Sequence, residues 1–119
     1  MHLLRLINAG SDGIQCFSID GHNMTVIATD FTEVEPYQVD VVTLGVGQRA
    51  HILVEGTGNS NGAYWMRSNI SAVGTLVPVP PQPFALAAVY YERANTNANP
   101  TTVADPAVGA NCGVVSMTM

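Results

Sequence analysis

The sequence is poor in charge and poorest in positive charge. It contains no lysine, and its only cations, Arg5, Arg49, Arg67 and Arg93, are spread singly along 119 residues. Neutralising a row of phosphates takes clustered Lys and Arg, so nucleic acid is not an expected partner. Charged residues amount to 11%, against about 25% in an average globular domain. No apolar run reaches bilayer-spanning length, because Pro78, Pro80, Pro81 and Pro83 break the longest candidate, and no membrane anchor is expected. Cysteine is limited to Cys16 and Cys112, which form one disulfide or stay free; their spacing does not decide between the two.

Catalytic signatures are scarce as well. Gly-x-Ser-x-Gly does not occur, and no serine has a neighbouring histidine to activate it. His2, His22 and His51 never pair as His-x-His, so a multi-metal cluster is not expected from this chain alone. The nearest approach to a mononuclear copper set is Cys16, His22 and Met24, with His51 as a second imidazole. Such a site needs thiolate and imidazole to converge in one loop region, whereas Cys16 reads as mid-strand, so a cysteine beside a turn histidine is the preferred reading and no metal site is assigned. Asp12, Asp20, Asp30, Glu33 and Glu35 fall in apparent turns and loops, where acidic residues are ordinary, so no glycosidase-type pair stands out.

What is present is abundant Val, Thr, Asn, Ser and Gly in short alternating segments bounded by turn residues. Strands are expected near 3–8, 15–20, 25–29, 39–44, 50–55, 63–68 and 84–91, about seven in all and without a helix, which predicts an all-β two-sheet sandwich. Asp20-Gly21, between Phe17/Ile19 and Val26/Ile27, predicts a hairpin turn, and residues 33–37, with Pro36, an irregular connection. Alternation puts Ala50, Ile52 and Val54 on a core face, and Trp65 is expected to anchor the core between the sheets. Residues 1–94 are read as the sandwich and 95–119 as a linker leading into a further element.

The composition suits a secreted protein. Asn23-Met24-Thr25 and Asn69-Ile70-Ser71 permit glycosylation at Asn23 and Asn69. Residues 1–5 lack the sections of a signal peptide and begin inside a strand, so the chain is expected to be an N-terminally truncated piece of a longer polypeptide that carries the signal. Taken by itself, Ser11-Asp12-Gly13 is a turn in which Asp12 caps nearby backbone groups.

Several separated blocks occur in an order that matches a known family. Arg5-Leu6-Ile7-Asn8, the run from Phe17 through Gly21-His22-Asn23-Met24 to Ile27, Val41 through Arg49, and Tyr64-Trp65-Met66-Arg67 together resemble the second cupredoxin-like domain of three-domain multicopper oxidases, fungal laccases above all. The resemblance implies a Greek-key cupredoxin-like sandwich inside an enzyme that oxidises phenolic or aromatic substrates one electron at a time and reduces O2 to water with four coppers. In that family the second domain binds no copper; it lends walls to the substrate pocket, with cupredoxin domains 1 and 3 on either side. The family's pocket carboxylate falls on Asp12, and the loop after Arg67, with Asn69, Ser71 and Ala72, resembles another pocket wall. Many relatives carry a cysteine in that loop, bonded to the one matching Cys112. Here Val73 and Gly74 occupy the region, so that bond is not available. The fragment alone is expected to be inactive. The alternative reading is a free-standing secreted sandwich that binds carbohydrate or another protein.

Overall fold

The computed structural model describes residues 1–71, 81–104 and Cys112. Among these residues eight strands run in chain order: β1 His2–Ile7, β2 Gln15–Ile19, β3 Met24–Thr29, β4 Thr32–Val39, β5 Val42–Leu44, β6 Arg49–Val54, β7 Ala63–Ile70 and β8 Phe84–Tyr90. They form two four-stranded sheets, ordered β1-β6-β3-β4 and β5-β2-β7-β8, in which every neighbouring pair is antiparallel. Alternation in β3 and β6 turns Met24, Val26, Ala50, Ile52 and Val54 inward. They meet Ile19, Val42 and Leu44 of the facing sheet, with Leu4, Leu6, Phe17 and Met66 packed around them. The all-β expectation and the core face of β6 hold.

Four local expectations are corrected. The Asp20-Gly21 turn exists, with Gly21 at φ 72°, but it joins no hairpin, because β2 and β3 belong to different sheets. The stretch around Pro36 is a strand, β4, whose residues are mostly exposed and which, among the described residues, pairs with β3 alone. The irregularity expected there persists as a break in the β3–β4 register between Val26↔Tyr37 and Ala28↔Glu33, and a proline is tolerated where the ladder is interrupted in this way. The true hairpin joins β3 to β4 through Asp30-Phe31, with Asp30 in the left-handed region at φ 52°. The expected strand at 39–44 is divided, Val39 ending β4 and Val42 opening β5 in the other sheet.

Trp65 is the fourth. Its neighbour Met66 packs on the inter-sheet core, and side chains alternate along a strand, so Trp65 points to the outer face of its sheet. That face is itself covered. Cys16, Ser18 and Asp20 alternate with the inward Phe17 and Ile19, yet all three are buried. Cys16 is joined to Cys112 by a disulfide with Cα atoms 6.3 Å apart, and Asp20 is held by Thr102, so the pairing left open by the sequence is Cys16 with Cys112.

Candidate functional site

The two ends of the sandwich differ. At one end β2 runs into the turn that carries His22, which is buried. Its Nδ1 faces the Asp20 carbonyl at 2.8 Å, an acceptor only, so Nδ1 carries the proton and Nε2 accepts from the Tyr91 hydroxyl. Tyr91 Oη in turn accepts from Gly58 N–H at 2.8 Å. Tyr64 packs edge-on against His22, with ring centroids 4.8 Å apart, and its hydroxyl accepts from Asn59 N–H at 2.9 Å. A Cβ on Gly58 would lie 2.7 Å from the Tyr64 ring, so the 56–62 loop closes over these rings only with glycine there. Each polar group of this cluster is used in holding a loop, which makes it structural.

Next to it, the Asp20 carboxylate, at 1% side-chain exposure, receives Arg67 Nε and Nη2 at 2.8 Å each and the Thr102 hydroxyl at 2.7 Å. Hydrogen bonding to Asp20 pushes the Arg67 pKa above its ordinary value, against the opposing effect of burial. Arg67 Nη2 also donates to the Thr102 carbonyl, and Trp65 N–H donates to Thr102 Oγ1. This clamp ties the chain after β8 to the outer face of the second sheet.

The opposite end is where Asp12 lies, on the 9–13 loop between β1 and β2, half-buried. The loop is braced by Asn8, which is 5% exposed. Its Nδ2 donates to the carbonyls of Leu44 at 3.0 Å and Gly13 at 3.2 Å, and its Oδ1 accepts from Gly10 N–H at 3.0 Å. Its backbone bonds Gln48 and Gly47 in the β5–β6 turn. Gly13 completes the bend at φ 95°. Asn8→Ala is expected to cost about 1–3 kcal/mol, because two buried carbonyls lose their donor. The urea midpoint measures the loss, and faster proteolysis within 9–13 would place it at this loop.

Beside the loop, at the end of the sandwich, lies an open groove of about 490 Å³, lined from the inner faces by Leu6, Phe17, Leu44 and Ile70, with Ile7 and Phe84 at its outer margin. Gln15 and Ser68, hydrogen-bonded at 3.0 Å, give it a polar floor. Ala9 and Gly10 reach its rim, while Asp12 stands two residues beyond Gly10 and is not among the lining residues. The other expected pocket residues are placed differently. β7 continues to Ile70, so Asn69 is a strand residue and not part of a loop. Ser71 is fully buried, and its hydroxyl donates to the Cys112 carbonyl at 2.6 Å. Ala72 lies outside the described residues.

A donor set for copper is not found here. Among the described residues no three His, Cys, Asp or Glu side chains converge. Cys16 is consumed in the disulfide, both His22 nitrogens are engaged, and Met24 is sealed in the core. These residues do not fit a copper ion.

Comparison with known proteins decides the family. The sequence model for "Multicopper oxidase" matches residues 1–103. The chain belongs to the multicopper oxidase family. It is 44% identical over 71 residues to a laccase of Arthroderma benhamiae, covering 56% of this chain and 11% of that protein. To laccase-4 of Thanatephorus cucumeris it is 36% identical over 107 residues, covering 89% of this chain and 20% of the relative. The crystal structure of the laccase from Botrytis aclada superimposes with a TM-score of 0.77 at 34% identity, over 91% of this chain and 20% of that one. The fold is thus a cupredoxin-like sandwich of the laccase-like multicopper oxidases, and the chain spans between a tenth and a fifth of the length of these relatives.

Sequence reasoning passed over Asn8, Arg67 and Thr102. A polar side chain ending an apolar strand just before Ala-Gly-Ser-Asp-Gly was the available signal for Asn8. Arg67, one of four cations and placed within a strand, was the signal for a buried partner.

Proposed function

We propose that this chain is the second cupredoxin-like domain of a secreted laccase-like multicopper oxidase, and that it holds no copper but contributes a wall of the cavity in which a phenolic or aromatic substrate is oxidised. The observation that carries the reading is the conjunction of the family match with an Asn8-braced loop that bears Asp12 and whose Ala9 and Gly10 line an apolar groove. In the complete enzyme four coppers, held by cupredoxin domains 1 and 3, supply electron transfer from substrate to O2.

The chemistry assigned to Asp12 is proton handling. A phenol has a pKa near 10 and becomes a strong acid once it has lost an electron. A carboxylate within hydrogen-bond reach orients the hydroxyl, stabilises the positive charge as it develops and accepts the proton. The electron and the proton then leave by different routes. The groove beside the loop is apolar enough to take an aromatic ring, and the flanking domains would close it.

In the full-length enzyme Asp12→Asn is expected to lose about tenfold or more in kcat/KM for a phenol, equivalent to about 1.4 kcal/mol of transition-state stabilisation. Its pH profile should shift, whereas a non-phenolic one-electron donor should be nearly unaffected. Equal loss on both donors would make Asp12 a folding residue. Sequencing the complete transcript separates this reading from a free-standing binding module: His-x-His pairs upstream and a His-Cys-His segment downstream are expected.

A further inference from the structure

The two glycosylation sequons sit in very different surroundings. Asn23 is exposed in the turn ahead of β3 and lines a polar depression with Gln38, Glu55 and Thr57. Asn69 lies in β7, a strand paired on both sides, directly opposite Cys16 of β2 and Phe84 of β8. Directly opposed residues of an antiparallel pair project from the same face with Cβ atoms about 4.5–5.5 Å apart. Asn69 therefore shares the outer face with Cys16, which is completely buried and bonded to Cys112, itself only 5% exposed. Ser71, which supplies the sequon's hydroxyl, is also completely buried, and that hydroxyl donates to the Cys112 carbonyl.

We infer that the Cys16–Cys112 disulfide and a glycan on Asn69 exclude one another, so that the disulfide-closed protein carries its sugar on Asn23 alone. Glycan transfer joins Asn Nδ2, which gives up a proton, to the anomeric carbon of a lipid-linked oligosaccharide; the sugar–phosphate bond breaks and the lipid diphosphate leaves. The transferring enzyme must grip the Asn amide and the Ser or Thr hydroxyl together. In the closed state the Ser71 hydroxyl is bound to Cys112 and is out of reach. A sugar attached to Asn69 earlier, in the nascent chain, would stand beside Cys16, where Cys112 has to arrive. Disulfide closure passes two electrons and two protons to a dithiol–disulfide oxidant of the secretory pathway, so the two modifications compete in one compartment. The inference rests on the secreted reading above only for its relevance in the native host.

The test uses the polypeptide that carries this chain at its natural length, expressed through the secretory pathway of a yeast host and mapped without reduction by peptide mass spectrometry. Molecules containing the Cys16–Cys112 linked peptide are expected to bear glycan on Asn23 and none on Asn69. Asn23→Gln should remove one glycan step on a gel, and Asn69→Gln none. Cys112→Ser should raise Asn69 occupancy from none to most molecules. Glycan on Asn69 in a molecule that also holds the Cys16–Cys112 link overturns the exclusion, and an unmodified Asn23 in secreted material overturns its assignment as the carrier. Recovery of the native protein from cell interiors and not from the medium would sink the secreted reading, while leaving the recombinant map intact.

Discussion

Replacing Arg67 with methionine is expected to lower stability by about 3–5 kcal/mol, because it strips the partner from a carboxylate that water cannot reach. Asp20 has 1% side-chain exposure and Arg67 17%, and the two meet through two parallel 2.8 Å hydrogen bonds, a geometry that combines charge with direction. Methionine keeps the apolar stem and removes the fork, leaving Asp20 with the Thr102 hydroxyl alone. A fall in urea midpoint with an unchanged slope is the expected reading. Lysine at 67 should recover part of the loss, since it restores the charge but not the bidentate fork. Asp20→Asn combined with Arg67→Met should be milder than Arg67→Met alone, because no buried charge is then left unpaired. A midpoint for Arg67→Met within about 0.5 kcal/mol of wild type, the range of an ordinary surface change, would show that the pair is not structural.

The pH dependence of that contribution follows from the raised guanidinium pKa. A cation whose pKa is higher in the folded state contributes stability that is complete below its unfolded pKa and lost as pH rises through the folded value. For Arg67 that window lies at the alkaline extreme. The guanidinium therefore acts as a fixed charge over the whole range in which the protein would work.

Strand existence was legible wherever burial alternates, and pairing was not. β3 and β6 show strict in-out alternation, so their core faces follow from residue type alone. The Asp20-Gly21 turn illustrates the limit: turn chemistry reports that the chain reverses, through a positive φ at Gly21, but not whether the next strand returns to the same sheet. β4 was hidden because Glu33, Glu35 and Pro36 belong to an edge whose residues mostly face water, so no apolar period marks it. Trp65 misled because alternation fixes two faces without saying which is inside. Here both faces of β2 and β7 are covered, and a large aromatic fits on either.

The candidate site was legible to the same degree. Asp12 is identifiable as a turn residue, and the pocket role proposed for it comes from a resemblance spread over several blocks. The bracing of its loop could not be read, because Asn8 reaches Leu44 and Gln48, far along the chain. Thr102 and Cys112 were equally invisible as partners of β2. They lie in a stretch whose composition reads as linker, and only the folded sheet brings Asp20 and Cys16 beneath them.

Removing the disulfide is the second large effect, and it depends on the first. Cys16 and Cys112 are 96 residues apart in sequence, and cross-linking a loop of that length restricts the unfolded chain by about 4–5 kcal/mol in the chain-entropy account. Cys16→Ser, Cys112→Ser and the double variant should therefore lose similar amounts, up to that figure, measured under oxidising conditions. Thr102 remains clamped to Asp20 and Arg67 after the disulfide is gone, so the outer face of the second sheet keeps part of its cover. In Cys112→Ser the Cys16 thiol should react slowly with a thiol reagent; adding Arg67→Met removes the tie to the Thr102 carbonyl and should speed the reaction, although the Thr102 hydroxyl keeps its bonds to Asp20 and Trp65 N–H. The two stability losses should also fail to add, since they act on one shared covering. Additive losses, or a Cys16 thiol that reacts at once in Cys112→Ser alone, would mean that Thr102 and Cys112 hold the face independently and that the Asp20 clamp covers nothing but itself.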